Sequence, residues 1–216
     1  EELFEISTDP HNVNNLASDP KYADILTTMR VEGFRWQKEI LDVGFIPEPI
    51  IERISTDLPL YEYVRKDGFP FDRIMETADL ATRRNPAVID EIITRLDDDT
   101  PEVRYWSLVG CVILNEEAKA AKNKIESMTK DEEVAVRIAA AEALYKMGEK
   151  QLALETLIDC AKSEYRMGRT MALNVLDLMG EDARAAMPVV EKIASEKLSG
   201  LTYDVRAAKR IVEKLN

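Results

Sequence analysis

Apolar positions recur every three or four residues along most of this chain, and their spacing predicts helices from about residue 20 to the end. The first is opened by Asp19-Pro20, an N-cap candidate followed by proline at the first helical position. Tyr22, Ile25, Leu26, Met29 and Trp36 then follow at helical spacing until Gly44, which predicts one amphipathic helix of roughly six turns. The residues before it break the pattern. Leu3, Phe4 and Ile6 form a short apolar stretch that Ser7-Thr8-Asp9-Pro10 turns, which predicts a strand. A lone strand leaves its backbone donors and acceptors unpaired, and the sequence offers no obvious second one, so its partners are expected upstream. Residues 47–70 carry Pro47, Pro49, Pro59, Gly68 and Pro70, too many breakers for a long helix. They predict a linker that wraps along the surface, with a short helical turn at residues 50–54.

From residue 71 the sequence repeats itself. Arg73, Arg104, Arg137, Arg169 and Arg206 each open a short apolar helix, at spacings of 31, 33, 32 and 37 residues, in or near the range of helical-hairpin repeats. Partner helices are predicted over residues 86–96, 116–128, 149–162 and 182–195. Met147-Gly148 and Met179-Gly180 close two of the arginine helices, glycine being able to take the left-handed conformation that ends a helix. Antiparallel pairs of this kind bury Val103, Leu108, Val136, Ala140, Leu144, Leu173, Leu176 and Val205 between layers. Trp106, Leu108, Val109, Val112 and Ile113 cover too much of one helix to be a solvent-facing stripe, so they too are expected in the core, with Gly110 admitting a neighbouring helix. The units Pro101-Glu102-Val103-Arg104, Val134-Ala135-Val136-Arg137-Ile138-Ala139-Ala140-Ala141 and Tyr203-Asp204-Val205-Arg206-Ala207-Ala208 resemble HEAT repeats of the short, alanine-rich kind. The fold class this implies is all-α: a HEAT-like αα superhelix, a right-handed solenoid of four full pairs and a leading half, over residues 71–216.

Aspartates stand six residues before three of the arginines, pairing Asp67 with Arg73, Asp98 with Arg104 and Asp131 with Arg137. In HEAT-like repeats such pairs form a hydrogen-bonded ladder between adjacent turns, so these six residues are the candidate structural ladder. Ser163 and Gly200 hold the corresponding places before Arg169 and Arg206, where the ladder is expected to fail.

Charge narrows the choice of partners. Asp and Glu outnumber Lys and Arg by 41 to 29 for a net charge of −12, which repels phosphate backbones and anionic membrane surfaces. No apolar run approaches the ~20 residues that span a bilayer. Neither nucleic acid nor membrane is therefore expected as a partner. Lys119, Lys122 and Lys124 form the compact basic cluster, but Glu116, Glu117 and Glu126 surround them, as in a salt-bridged solvent face.

Candidate chemistry is sparse. His11 is the single histidine and follows the turn signal Asp9-Pro10, which removes paired-histidine metal sites and most triads. Cys111 and Cys160 fall in helical patterns without CxxC spacing and read as buried apolar residues. Asp97-Asp98-Asp99 invites a calcium reading, but Thr100-Pro101-Glu102 follows at once, without the alternation and glycine of a calcium loop. The triplet ends one helix and caps the next. Tyr61-Glu62-Tyr63 is expected to pack against the first repeat rather than to stack on a sugar.

The first 48 residues carry a second resemblance. Glu2-Leu3-Phe4-Glu5-Ile6, Asp9-Pro10-His11-Asn12 and Asn14-Asn15-Leu16-Ala17 resemble the ELYDL-x-x-DPxE-x-x-NLA passage near the end of sulfatase catalytic domains, departing from it at Asn12, where the family has glutamate. The helix with Trp36, closing on Leu41-Asp42-Val43-Gly44-Phe45-Ile46-Pro47-Glu48, is similar to the terminal helix and tail of bacterial members. The resemblance implies three parts: residues 1–46 as the last strand and helix of a catalytic fold, 47–70 as a linker, and 71–216 as HEAT-like repeats. Sulfatases of this family use calcium and a formylglycine made from the cysteine or serine of a C/S-x-P/A-x-R motif. Neither Cys111-Val112-Ile113-Leu114-Asn115 nor Cys160-Ala161-Lys162-Ser163-Glu164 fits that motif. The chain itself is thus expected to be noncatalytic and without cofactor, a scaffold for the missing catalytic domain of the same polypeptide or for contacts between copies, in a secreted or periplasmic bacterial protein. The alternative is a free-standing HEAT-repeat module that binds another protein.

Overall fold

The computed structural model describes residues 1–197 and 202–215, and among these the regular structure is entirely helical. The chain divides into two compact units, Glu1–Asp42 and Val43–Asn216.

In the first unit the expected strand at residues 3–6 is absent. Its backbone groups find local partners instead: the Leu3 N–H donates to Asn15 Oδ1 (3.0 Å), and the Leu3 carbonyl accepts from the Leu16 N–H (2.8 Å). The Glu5 carbonyl accepts from Thr8 and Asp9, closing a turn that leaves Ile6 73% exposed. Leu3, not the whole apolar run, is buried. Asp9 then takes the N–H groups of Val13 and Asn14, which hold its carboxyl below the usual aspartate range. Asn12 between them has φ 53°, a left-handed conformation that asparagine tolerates better than glutamate does.

A 3₁₀ turn at Pro20–Tyr22, capped by Asp19, leads into α1 (Ala23–Ile40). The helix ends earlier than Gly44, at Leu41, whose φ of 54° lets its N–H reach the carbonyls of Gln37 and Lys38. No side chain of α1 is buried. Ile25, Met29, Trp36 and Ile40, all exposed, fall within an arc of about 60° at 100° per residue.

The second unit begins with two short helices, α2 (Glu48–Ile54) and α3 (Leu60–Tyr63), each opened by proline. Long helices then alternate with shorter ones: α4 (Phe71–Thr82), α5 (Ile89–Thr94), α6 (Pro101–Leu114), α7 (Lys122–Met128), α8 (Val134–Lys146), α9 (Lys150–Cys160), α10 (Arg166–Met179), α11 (Met187–Ala194) and α12 (Tyr203–Leu215). The shorter partners α5, α7 and α11 are extended by 3₁₀ turns, among them Glu117–Ala121 and Gly180–Ala186. The long helices form one row in which α4 packs on α6, α6 on α8, α8 on α10 and α10 on α12. The partners pack against that row, α5 on α6, α7 on α8, α9 on α8 and α10, and α11 on α12. Gly148 and Gly180 both have positive φ and turn the chain after α8 and α10.

One hydrophobic core runs continuously from Ile92 to Leu215. Leu108, Val136, Ala140, Leu144, Leu173, Leu176 and Val205 are fully buried in it, and Val103 is fully buried as well. Small residues set the spacing of the row. A Cβ built on Gly110 would lie 2.9 Å from Ile92 Cδ1 and 3.4 Å from Ala81 Cα, so any larger residue in α6 would oblige the Ile92 side chain of α5 to shift. Of the apolar residues on α6, Leu108 is fully enclosed and Trp106, Val109 and Val112 are half-buried. Ile113 is a correction to the expected core: at 37% exposure it belongs to the outer surface.

Residues 45–54 are more than a linker. Ile46, Ile50 and Ile54 are buried, Phe45 meets Phe71 edge-on, and the Trp106 indole N–H donates to the Phe45 carbonyl (2.8 Å). α2 thereby straps across α8 and α10. Tyr63 packs edge-on against Phe69, whereas Tyr61 is exposed beneath the Arg65 guanidinium, 3.7 Å from its ring centre.

Candidate functional site

The charged residues that the repeat pattern singled out converge at the N-terminal ends of the long helices. Arg104, near the start of α6, presents two edges. Its Nη1 donates to the carbonyls of Asp98 (2.9 Å) and Asp99 (3.1 Å), and its Nε and Nη2 grip Asp131 in a bidentate pair, both bonds 2.9 Å. Asp131 also accepts the Glu133 N–H, so one carboxylate fixes its own turn and the arginine of the preceding repeat. Both side chains are almost enclosed, at 12% and 11% exposure. Burial opposes the arginine's charge, but Asp131 outweighs it and holds the Arg104 pKa above the ordinary value.

The pattern repeats with variations. Arg73 pairs with Asp98 (3.2 Å) and donates to Thr100 Oγ1, while Asp98 accepts the Thr100 N–H. Arg137 copies the first edge of Arg104, its Nη1 donating to the carbonyls of Asp131 (2.7 Å) and Glu132 (3.1 Å). Its second edge differs: Ser163 stands where an aspartate would, and accepts the Tyr165 N–H with its hydroxyl. The Arg137 Nε is buried with no hydrogen-bond partner. Each aspartate's carboxylate thus serves the preceding arginine, and its carbonyl the following one. Asp67 is joined to Arg73 by no bond among the described residues.

The ladder lacks its carboxylate at Ser163, but a further rung that the six-residue spacing did not reveal follows it. Arg169 pairs with Glu196 (2.7 Å) and Asp204 (3.0 Å), and Arg166 pairs with Asp204 (2.8 Å), whose side chain is fully enclosed. The signal was available: Arg169 and Glu196 are 27 residues apart, as are Arg104 and Asp131. Counting back six residues from Arg206 led instead to Gly200, outside the described residues, because the connection before α12 is longer than the others.

Three groups near the strap were not foreseen. Glu52 on α2 accepts the Arg166 N–H (3.0 Å) and the Met167 N–H (2.7 Å), capping α10 from more than a hundred residues away. Arg53 pairs with Glu133. Glu102, in the first turn of α6, is fully buried, and neither of its carboxylate oxygens has a hydrogen-bond partner. Burial pushes its pKa above the usual carboxylate range; its own backbone N–H offsets this in part, Glu133 adds to it, and Arg53 and Arg104 oppose it. A carboxyl whose folded pKa is raised stabilises fully below its ordinary value of 4.5, and that contribution is lost as pH rises through the folded value. Glu102→Gln is therefore expected to raise stability at pH 7.5 by about 1 kcal/mol and to do less at pH 4.5. Denaturation midpoints at the two pH values check this; an equal shift at both would mean that Glu102 does not titrate in this range.

The remaining candidates occupy separate places. Asp97 pairs with Lys124, Asp98 with Arg73, and Lys122 with Glu149 and Glu126, while Lys119 pairs with Glu116. Among the described residues no group of three or more His, Cys, Asp or Glu side chains is arranged to hold a metal ion. Cys111 and Cys160 are free and buried; burial pushes the Cys111 thiol up to about 12, and raises Cys160 as well, against the nearby Arg137. His11 is exposed in its turn. These are contacts that orient helices, with opposite charges already neutralising one another. The chain matches no family model, and no curated protein matches it.

Proposed function

We propose that the second unit is a HEAT-like right-handed α-solenoid and that the chain is the noncatalytic C-terminal region of a bacterial sulfatase, scaffolding its catalytic domain or the contacts between copies. The row of long helices supports the solenoid, with arginine–carboxylate rungs tying α4 to α6, α6 to α8 and α10 to α12. The observation that carries the sulfatase reading is the apolar stripe of α1. It follows a passage resembling the end of the sulfatase catalytic fold, and Ile25, Met29 and Trp36 are each more than half exposed. A catalytic domain preceding Glu1 in a secreted or periplasmic polypeptide would supply the missing wall.

The residues present do not fit the family's calcium or its formylglycine: the sequence lacks the C/S-x-P/A-x-R motif, and among the described residues Asp97, Asp98 and Asp131 are engaged in separate ion pairs. Those groups belong to the parent. A second reading, a self-sufficient module that binds another protein, is favoured by the continuous core of the second unit. The reading frame upstream of Glu1 separates the two. A C-x-P-x-R or S-x-P-x-R motif several hundred residues earlier in the same frame is the expected result, and a start codon close by would leave the module.

A further inference from the structure

Glu102 is one carboxyl too many for the cations around it. Asp204 stands two residues before Arg206 as Glu102 stands before Arg104, and both side chains are fully enclosed. Asp204 meets two guanidiniums, Arg166 at 2.8 Å and Arg169 at 3.0 Å. Glu102 has no such partner: both of its carboxylate oxygens are buried and unbonded. The cations that act on it, Arg53 and Arg104, are already matched, by Glu133 and Asp131. A carboxyl so placed keeps its proton, because ionising it would leave an uncompensated charge out of water.

The strap lies over this face of α6. Glu102 and Trp106 are one turn apart on the helix and share a face, and the Trp106 indole N–H donates to the Phe45 carbonyl where the strap crosses (2.8 Å). Charged and titratable groups act on Glu102 from each neighbouring element: Arg53 from α2, Tyr63 from α3, Glu133 from the turn before α8 and Arg104 from α6 itself. Burial raises the Tyr63 pKa, and the Glu102 carboxyl adds to that. α2 and α3 are about two turns and one turn long, too short to persist undocked. What seats α2 is its contact with α8 and α10: the buried Ile50 and Ile54, the Arg53–Glu133 pair and the Glu52 cap on Arg166 and Met167.

We propose that the strap is a proton-dependent clasp, seated while Glu102 is neutral and lifted from α6 and α10 when that carboxyl ionises. Lifting admits water to the carboxylate and uncovers the first turn of α10. The seated form holds the proton more tightly than the open form. Seating is therefore fully favoured below the ordinary carboxyl value of 4.5 and weakens as pH rises through the folded value. The clasp belongs to the second unit alone and holds whether or not the chain derives from a sulfatase.

Hydrogen exchange of the 216-residue chain from about pH 5 to about pH 8, corrected for the intrinsic rate at each pH, tests this. Three sets of reporters are tied to the strap: the Ile50, Ile51 and Ser55 amides within it, the Arg166 and Met167 amides that donate to Glu52, and the Trp106 indole N–H. Their protection is expected to fall together, by up to about tenfold per pH unit for one linked proton, while amides in the middle of α8 keep theirs. Glu102→Gln, which cannot ionise, is expected to hold all three sets protected across the range. In the unsubstituted chain the Glu102 carboxyl ¹³C resonance is expected to titrate with the same midpoint as the loss of protection, a comparison that needs no variant. The proposal is overturned if the carboxyl ionises with the strap still protected, or if protection falls equally in Glu102→Gln. It is equally overturned if the α8 amides fall in parallel, which would tie the proton to unfolding of the whole unit.

Discussion

Asp131→Ala is expected to destabilise the second unit by about 3 kcal/mol, the scale for removing one partner of an enclosed ion pair. The cost follows from what is left behind. Arg104 is 12% exposed, so its Nε and Nη2 would lose a bidentate acceptor in a place water barely reaches, and the Glu133 N–H would lose its acceptor as well. The comparison that isolates burial is Asp177→Ala. Asp177 pairs with Arg210 and Lys214, but those cations are 75% and 48% exposed and water replaces the carboxylate. That change is expected to cost less than about 1 kcal/mol. Denaturant midpoints for both variants test the pair of values. Equal losses would mean that the buried rung contributes no more than a surface ion pair, and that the helices are held in register by apolar packing alone.

Ala140→Leu is the second large effect, expected at up to about 3 kcal/mol. Ala140 lies in the middle of α8 with no exposed surface, and its neighbours Ala139, Ala141, Ala143 and Leu144 are buried as well. α8 is the helix most enclosed on all sides, packed on α6, α7, α9 and α10 and crossed by the strap. Three added carbons there have no void to enter and must push a neighbouring helix away. A thermal midpoint unchanged by the substitution would show that the core around α8 is loose enough to accommodate them.

What the sequence disclosed and what it hid divide along the range of the interactions involved. The long helices and their partners were legible because apolar residues recur through them at helical spacing and because Gly148 and Gly180 mark turns by conformation. The pairing of Asp98 with Arg73 and of Asp131 with Arg104 is not what the six-residue spacing first implied. That spacing reports a carbonyl contact within one repeat, and the carboxylate goes to the arginine before it. The rung at Glu196 follows the same 27-residue interval as Asp131 but was obscured by the longer connection before α12. The strap could not be read at all. Glu52 meets the start of α10 across 114 residues, and nothing local distinguishes it from a surface glutamate. Glu102 was hidden for a related reason: an acidic residue in the first turn of a helix is ordinarily solvated and favoured by the dipole, and only the packed structure reveals that it is enclosed. The apolar run at residues 3–6 suits a strand or a loop equally well until the partners of its backbone are known, and here those partners are Asn15 and Leu16.

The proposal that this chain is a scaffold borne by a sulfatase is tested most directly by measuring 4-nitrophenyl sulfate hydrolysis with two preparations, each free of host sulfatase and supplied with calcium. One is the 216-residue chain; the other is the polypeptide encoded by its entire reading frame. The account predicts turnover by the full polypeptide and none above background by the chain alone. Turnover by the isolated chain, or a complete reading frame that yields an inactive protein without a formylglycine motif, would contradict it.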